Sequence, residues 1–171
     1  MNPFIHLHVH SQYSLLDGQA SVKALVDKAI ANGMKGLALT DHGNMFGAKE
    51  FFNYVNKKNG AVKKEIQEAE EALAKAREEG DEAAAAEAEA KKKAAENKIL
   101  KPIFGCEMYV ANKDLHESTD KRDTGRHLVV LAKNEKGYHN LIKLVSQAWT
   151  EGFYSHPVPT KNSLQPIVKD L

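Results

Sequence analysis

Apolar and polar residues alternate at the start of the chain: Ile5, Leu7 and Val9 take one parity, and His6, His8 and His10 the other. A period of two predicts a β-strand carrying three imidazoles on one face. A polar loop runs from Ser11 to Gly18. Ser21 then fits the N-cap of a helix whose apolar stripe is Val22, Leu25, Val26, Ala29 and Ile30, with Gly33 as its stop. Gly36 to Thr40 reads as a short buried strand and Asp41 to Asn44 as a turn. A second amphipathic helix is predicted from about Ala48 to Asn59, with Phe51, Phe52 and Val55 on its apolar side. Strand, helix, strand, helix in this order points to parallel βα units.

Between Lys63 and Lys98 the pattern dissolves into Ala, Glu and Lys, and Ile66 and Leu73 are the only large apolar residues. These are strong helix formers, and Gly80-Asp81 supplies a stop followed by a new cap. The segment therefore predicts a helical hairpin inserted at 63–98. Its basic run, Lys91 to Lys93, is outweighed by acidic residues, so a solvated insertion is expected and not a nucleic-acid arm. Lys101 to Val110 resumes a strand pattern, Asn112 to Gly125 a charged loop, and Leu128 to Ala132 another buried strand. A helix is predicted from about Glu135 to Glu151, carrying Leu141, Ile142, Leu144, Val145, Ala148 and Trp149. Beyond Tyr154 no periodicity remains. The run of βα units is too short to close an eight-stranded barrel of about 250 residues.

Composition narrows the picture. The 171 residues suit one domain or part of a larger one. A net charge of +1 leaves any nucleic-acid role to local surface. The single cysteine, Cys106, excludes an internal disulfide and agrees with a reducing compartment. No apolar run approaches the ~20 residues of a membrane span, and the first residues lack a signal-peptide pattern, so the expected location is the cytoplasm, with no membrane partner.

Ionisable residues gather at the strand ends: His8, His10, Asp17, His42, Glu107 and His127. In parallel βα folds those ends share one rim, so residues distant in sequence meet there. Mixed imidazole and carboxylate donors suit Zn²⁺, Mn²⁺ or Fe²⁺ better than Ca²⁺. His6 is expected to pack on its strand. Asp17, before Gly18, also fits a turn former, and Asp41 fits a residue that orients a ligand from outside the coordination shell. Glu107 lies beside an apolar strand, where a buried carboxylate needs a partner. His127 opens its strand and reaches the common rim only if that strand runs antiparallel to the one before it. His116, His139 and His156 read as surface residues, and Cys106 as a small buried apolar one.

Four segments together are distinctive: His6-Leu-His-Val-His-Ser-Gln-Tyr-Ser-Leu-Leu-Asp-Gly18, Leu39-Thr-Asp-His-Gly-Asn44, Lys101-Pro-Ile-Phe-Gly-Cys-Glu-Met-Tyr-Val110 and His127-Leu-Val-Val-Leu-Ala-Lys-Asn134. They resemble the polymerase and histidinol phosphatase (PHP) domain, and more narrowly its version at the N-terminus of bacterial DNA polymerase III alpha subunits. Gly137-Tyr-His-Asn-Leu141 and Glu151-Gly-Phe-Tyr154 strengthen the polymerase likeness. The resemblance implies an α/β fold, a distorted (β/α)7-type barrel, incomplete in this chain, with a cluster of up to three metal ions, usually zinc. Carried over residue by residue, the ligands it implies are His8, His10, Asp17, His42, Glu107 and His127. The implied activity is metal-dependent 3′–5′ exonuclease proofreading, or hydrolysis of a related phosphoester. Arg126 and Lys133 are candidates for phosphate contacts. Implied partners are a DNA 3′ end, the remainder of the polymerase alpha subunit and the replicative holoenzyme. A non-catalytic scaffold that docks a separate proofreading subunit, and a stand-alone phosphatase, are the competing readings.

The family draws further ligands from near the end of its barrel, and these residues supply no counterpart. The expected organisation is a partial PHP domain at 1–154, with its insertion at 63–98, and an irregular tail at 155–171. An unclosed barrel exposes strand edges and an apolar face. Self-association or low stability is the expected outcome unless the tail caps the open edge; light scattering showing a monomer with a sharp cooperative melt would contradict it.

Overall fold

Ser21 starts the first helix. In the computed structural model, which describes residues 4–110 and 126–152, its hydroxyl accepts the backbone N–H of Ala24 at 3.2 Å. The helix, α1 (Val22–Ala31), buries Val22, Val26 and Ala29, the stripe that faces the core. Gly33 turns the chain with φ +69°, a conformation open to glycine at little cost. β1 (Gly36–Leu39) follows with all four residues buried. The charged loop expected at 112–125 and the tail expected at 155–171 lie outside the described residues, as do His116 and His156.

The N-terminal strand does not form as the alternation predicts. His6 makes one parallel bridge, to Leu37, and the segment then leaves the ladder. Ala38 donates to the carbonyl of His6, and Thr40 donates to that of Val9, both at 2.9 Å. Three residues on one side therefore match two on the other, which is a bulge. The Thr40 hydroxyl holds it by accepting the N–H of Val9 at 2.8 Å. One extra residue reverses the alternation and separates His6 from His8 and His10.

The second helix also departs from expectation. α2 (Ala48–Glu79) runs unbroken for 32 residues, through the boundary expected between Asn59 and Lys63. Gly60 costs such a helix only about 1 kcal/mol, and strong helix formers follow it. Asn59 points inward instead of ending the helix. Its amide donates to the carbonyl of Leu100 at 2.8 Å and accepts the Leu100 N–H at 3.1 Å. Gly80, at φ +72°, closes α2, and the Asp81 carboxylate accepts the N–H groups of Ala83 and Ala84 to open α3 (Glu82–Glu96). Ala69, Leu73 and Ala76 of α2 and Ala88 and Ala95 of α3 are the buried residues of this hairpin. Lys98–Glu65 at 2.7 Å and Lys92–Glu70 at 2.8 Å cross it, though exposed pairs contribute little each.

β2 (Lys101–Val110) is the shared strand of the described sheet. Its first four residues pair with β1 in parallel, from Gly36↔Lys101 to Leu39↔Phe104. Its remainder pairs with β3 (Arg126–Leu131) antiparallel, from Gly105↔Leu131 to Val110↔Arg126. The expectation of parallel units thus holds for the first pair only. At the changeover stands Gly105, where a Cβ would lie 2.6 Å from the Val130 carbonyl oxygen. β3 is less buried than its apolar run predicts: Val130 is buried, whereas Leu128 is 45 % exposed. Helix α4 (Glu135–Thr150) is capped by the Asn134 side chain on the Gly137 N–H at 2.8 Å. Its Leu141, Leu144 and Val145 join Cys106, Met108, Val110 and Val130 in one core. Val22, Val26, Leu37, Leu39, Phe51, Val55 and Leu100 belong to the other. No helix among the described residues is long and apolar enough to cross a membrane.

Asn59→Leu removes both partners of a buried peptide group. We expect a loss of about 2–3 kcal/mol in unfolding free energy, measured by urea denaturation, with helical content unchanged.

Candidate metal centre

Strand alternation sends Cys106, Met108 and Val110 toward α4, so Glu107 and Tyr109 face the other side of β2. His127 stands opposite Tyr109 in the antiparallel register and shares that face. The antiparallel pairing is what brings His127 to the site, because it turns the start of β3 toward the end of β2. Glu107 is only 6 % exposed, and imidazoles surround its carboxylate. His10 Nε2 lies 2.6 Å and His8 Nε2 3.1 Å from Oε2, and His42 Nε2 4.0 Å. His127 Nδ1 lies 3.0 Å from Oε1. Both carboxylate oxygens are thus engaged, each by a different set of rings.

Burial alone pushes the Glu107 carboxyl upward. The hydrogen bonds from His8 and His127, the charge of His42 and the bond from His10 overcome it, and the group is held down at about 2. Burial, with the nearby Asp41 charge, pushes the Cys106 thiol up to about 12. That thiol is fully buried and is a packing group, not a nucleophile.

Asp41 builds the scaffold beneath. Its buried carboxylate accepts the Ser11 N–H at 2.7 Å, the Ser11 hydroxyl at 2.9 Å and the Ser14 hydroxyl at 2.7 Å. The Ser14 hydroxyl in turn accepts the His42 N–H at 3.0 Å. The loop after the histidine segment is therefore tied to the end of β1. It has no room for a side chain at Gly18, where a Cβ would meet the Ser11 carbonyl oxygen at 2.0 Å. Among the described residues Asp41 makes no hydrogen bond to an imidazole; it acts by placing the backbone on which His10 and His42 ride.

Asp17 reaches the site from the same loop. Its Oδ2 lies 2.6 Å from His42 Nδ1. A carboxylate accepts only, so Nδ1 carries the proton, and in the neutral ring Nε2 is left with its lone pair. That Nε2 is buried and has no hydrogen-bond partner. Leu16, one residue earlier, has φ +76°, a strained value for a branched side chain. Local strain thus accompanies the placement of Asp17.

Two groups of donor atoms among the described residues lie within 4.8 Å of one another: His8, His10 and Glu107, and His42, Glu107 and His127. Glu107 belongs to both. His8 and His10 bring their Nε2 atoms within 3.3 Å of one another, both aimed at Glu107 Oε2; once deprotonated, the two nitrogens would turn converging lone pairs toward a cation. The orphaned His42 Nε2 makes the same offer in the second group. The nitrogen and carboxylate donors present therefore fit a divalent transition metal such as Zn²⁺.

Other sequence candidates lie elsewhere. The His6 ring packs edge-on against Phe4 at 4.6 Å, and His139 is exposed on α4 beside Glu135. Arg126 neighbours His127 on β3, so alternation directs it to the opposite face. Lys133 lies past the far end of β3, about 20 Å along the strand direction from His127. It lines a separate cleft of about 810 Å³ with Lys101, Phe52 and Tyr138, which takes it away from the histidine cluster. Sequence reasoning missed Ser11, Ser14 and Tyr109. The alternation of Glu107 and Tyr109 on one strand face was the available signal for the last.

The family described as "PHP domain" matches residues 6–169, past the point at 154 where the quoted motifs end. Similar proteins include the DNA polymerase III subunit alpha of Borreliella burgdorferi, 39 % identical over 170 residues, covering 98 % of this chain and 11 % of that protein. The same subunit of Chlamydia trachomatis is 36 % identical, covering 98 % of this chain and 10 % of that protein. That of Helicobacter pylori strain 26695 is 34 % identical over 168 residues, again 98 % of this chain and 10 % of the relative. The chain spans about a tenth of the length of the curated relatives it matches.

The lowered carboxyl of Glu107 predicts an acid limb of stability in metal-free protein. Its contribution is complete above the ordinary value of 4.5 and is lost as pH falls toward about 2, on the order of 3 kcal/mol. Denaturant unfolding of chelator-treated protein across that range should show the slope, and Glu107→Gln should flatten it.

Proposed function

This chain belongs to the PHP domain family, and we propose that its histidine–carboxylate cluster is a metal-dependent phosphoesterase centre acting as a 3′–5′ exonuclease on DNA ends. The observation that carries this reading is one buried carboxylate, that of Glu107, contacted by His8, His10 and His127, with His42 4.0 Å away. Such an acid is shared by both donor groups, and clustered cations held there would be suited to phosphoester displacement. The relatives are named as polymerase subunits, which favours DNA as substrate over a small phosphate ester. The three-stranded sheet is read as an arc of the distorted (β/α)7-type barrel, with α2 beyond residue 62 and α3 as its insertion.

In this reading His8 and His10, with Glu107, would hold one cation, and His42 and His127, with the same Glu107 carboxylate, would hold a second. Zn²⁺, Mn²⁺ or Fe²⁺ fits those donors. When bound, the cations supply Lewis-acid polarisation of the phosphoester and a nucleophile at neutral pH. The chain supplies the rest. Asp17 fixes the His42 tautomer through Nδ1, and its carboxylate is the donor that would hold a third cation. Asp41, through Ser11 and Ser14, holds the loop so that the imidazoles converge without reorganisation. Cys106 takes no part. The partners are a DNA 3′ end, the remainder of a polymerase alpha subunit and the replicative holoenzyme.

The test pairs metal analysis of purified protein with trimming of a primer bearing a mismatched 3′ end. Bound divalent metal is expected, with trimming abolished by chelator and reduced about 100-fold or more by His8→Ala or Glu107→Ala. Trimming unchanged in both variants assigns the activity to a contaminant. Protein without metal or activity favours the scaffold reading, and hydrolysis of a chromogenic phosphate ester alone favours the phosphatase.

A further inference from the structure

Tyr109 supplies no donor atom to either group, yet it touches an imidazole of two candidate ligands. Its ring lies 4.3 Å from that of His42 with planes 15° apart, and 4.7 Å from that of His127 at 78°. His42 and His127 are themselves 4.7 Å apart at 63°. Three rings therefore close on one another beside Glu107. The contact follows from register: Tyr109 is directly opposite His127, two residues along the same strand face from Glu107.

The hydroxyl is the lesser part of this contact. It lies 3.4 Å from His42 Nδ1, but Asp17 Oδ2 is at 2.6 Å. Near-parallel planes put the hydroxyl above the imidazole, whereas the N–H points within the ring plane toward the carboxylate. The ring does what Asp17 does not. One hydrogen bond fixes one atom of His42 and leaves the ring free to tilt about it. A flat surface stacked on the imidazole removes that tilt. His127, whose side chain is half exposed, meets the edge of the same ring and loses freedom likewise. A ligand whose plane is already set gives up less entropy when it binds a cation.

We propose that Tyr109 is a positioning residue of this centre: its aromatic ring, not its hydroxyl, sets the planes of His42 and His127 for cation binding. The proposal rests on the reading that the site holds divalent cations, and it assigns Tyr109 a part in the second position only, through His42 and His127.

The test measures affinity for Zn²⁺ alone by titration of metal-free protein, and the visible absorption of the Co²⁺ form. Tyr109→Phe keeps the ring and is expected to bind within about twofold of wild type with an unchanged Co²⁺ spectrum. Tyr109→Leu and the strand-compatible Tyr109→Val are expected to weaken the second binding event about 10- to 100-fold, to alter the spectrum, and to leave the first event in place. A merely structural residue would lower the unfolding midpoint of the metal-free variants and move neither affinity nor spectrum. Wild-type binding by the Leu and Val variants overturns the proposal. So does a loss in the Phe variant equal to theirs, which would transfer the role to the hydroxyl. A wild-type protein that takes up no cation refutes the metal reading itself, and the proposal with it.

Discussion

A carboxylate removed from water must be compensated, and in this protein Glu107 is compensated by histidines. The cost of burying an uncompensated charge is several kcal/mol, so the imidazoles around Glu107 are as much a condition of folding as of chemistry. They come from the N-terminal segment, from the end of β1 and from the start of β3, which no local interaction would assemble. Because imidazoles can also act as metal donors, the cluster that compensates Glu107 in the free chain is one that could hold a cation.

The backbone around the cluster is shaped to serve it. Pairing between the N-terminal segment and β1 fails after one bridge, and the resulting bulge frees His8 and His10 from the alternation that would have kept them with His6. Asp41 then compensates for the lost ladder by taking one backbone N–H and two hydroxyls. The loop that carries Asp17 is thereby held rigid although it has no regular structure. Rigidity here comes from polar groups satisfied around one buried acid, together with Tyr13 packed against the core.

The hairpin stands apart from this arrangement. It is stabilised by alanine packing, by caps at Gly80 and Asp81, and by exposed ion pairs, and no residue of it enters the cluster. Its junction with the sheet is the Asn59–Leu100 pairing, where a side-chain amide imitates a strand neighbour for the residue before β2. Length can change in such an element without disturbing the histidine cluster, because its interactions are local.

Much of this was legible in the residues. Helix α1, the hairpin with its break, β2 and α4 follow from periodicity and capping, which are properties of neighbouring residues. His8, His10, Asp17, His42, Glu107 and His127 were identifiable as chemistry in search of a location. What the chain order did not reveal were effects of contact between distant segments. The bulge depends on how Thr40 meets Val9, the run of α2 past Gly60 on where Asn59 finds a partner, and the exposure of β3 on what lies against it. The position of Lys133 at the far end of β3 is likewise a matter of register. Periodicity fixes which face a residue takes within its own element. Only the packing of elements decides which faces meet, because that choice is made by distant burial and hydrogen bonding.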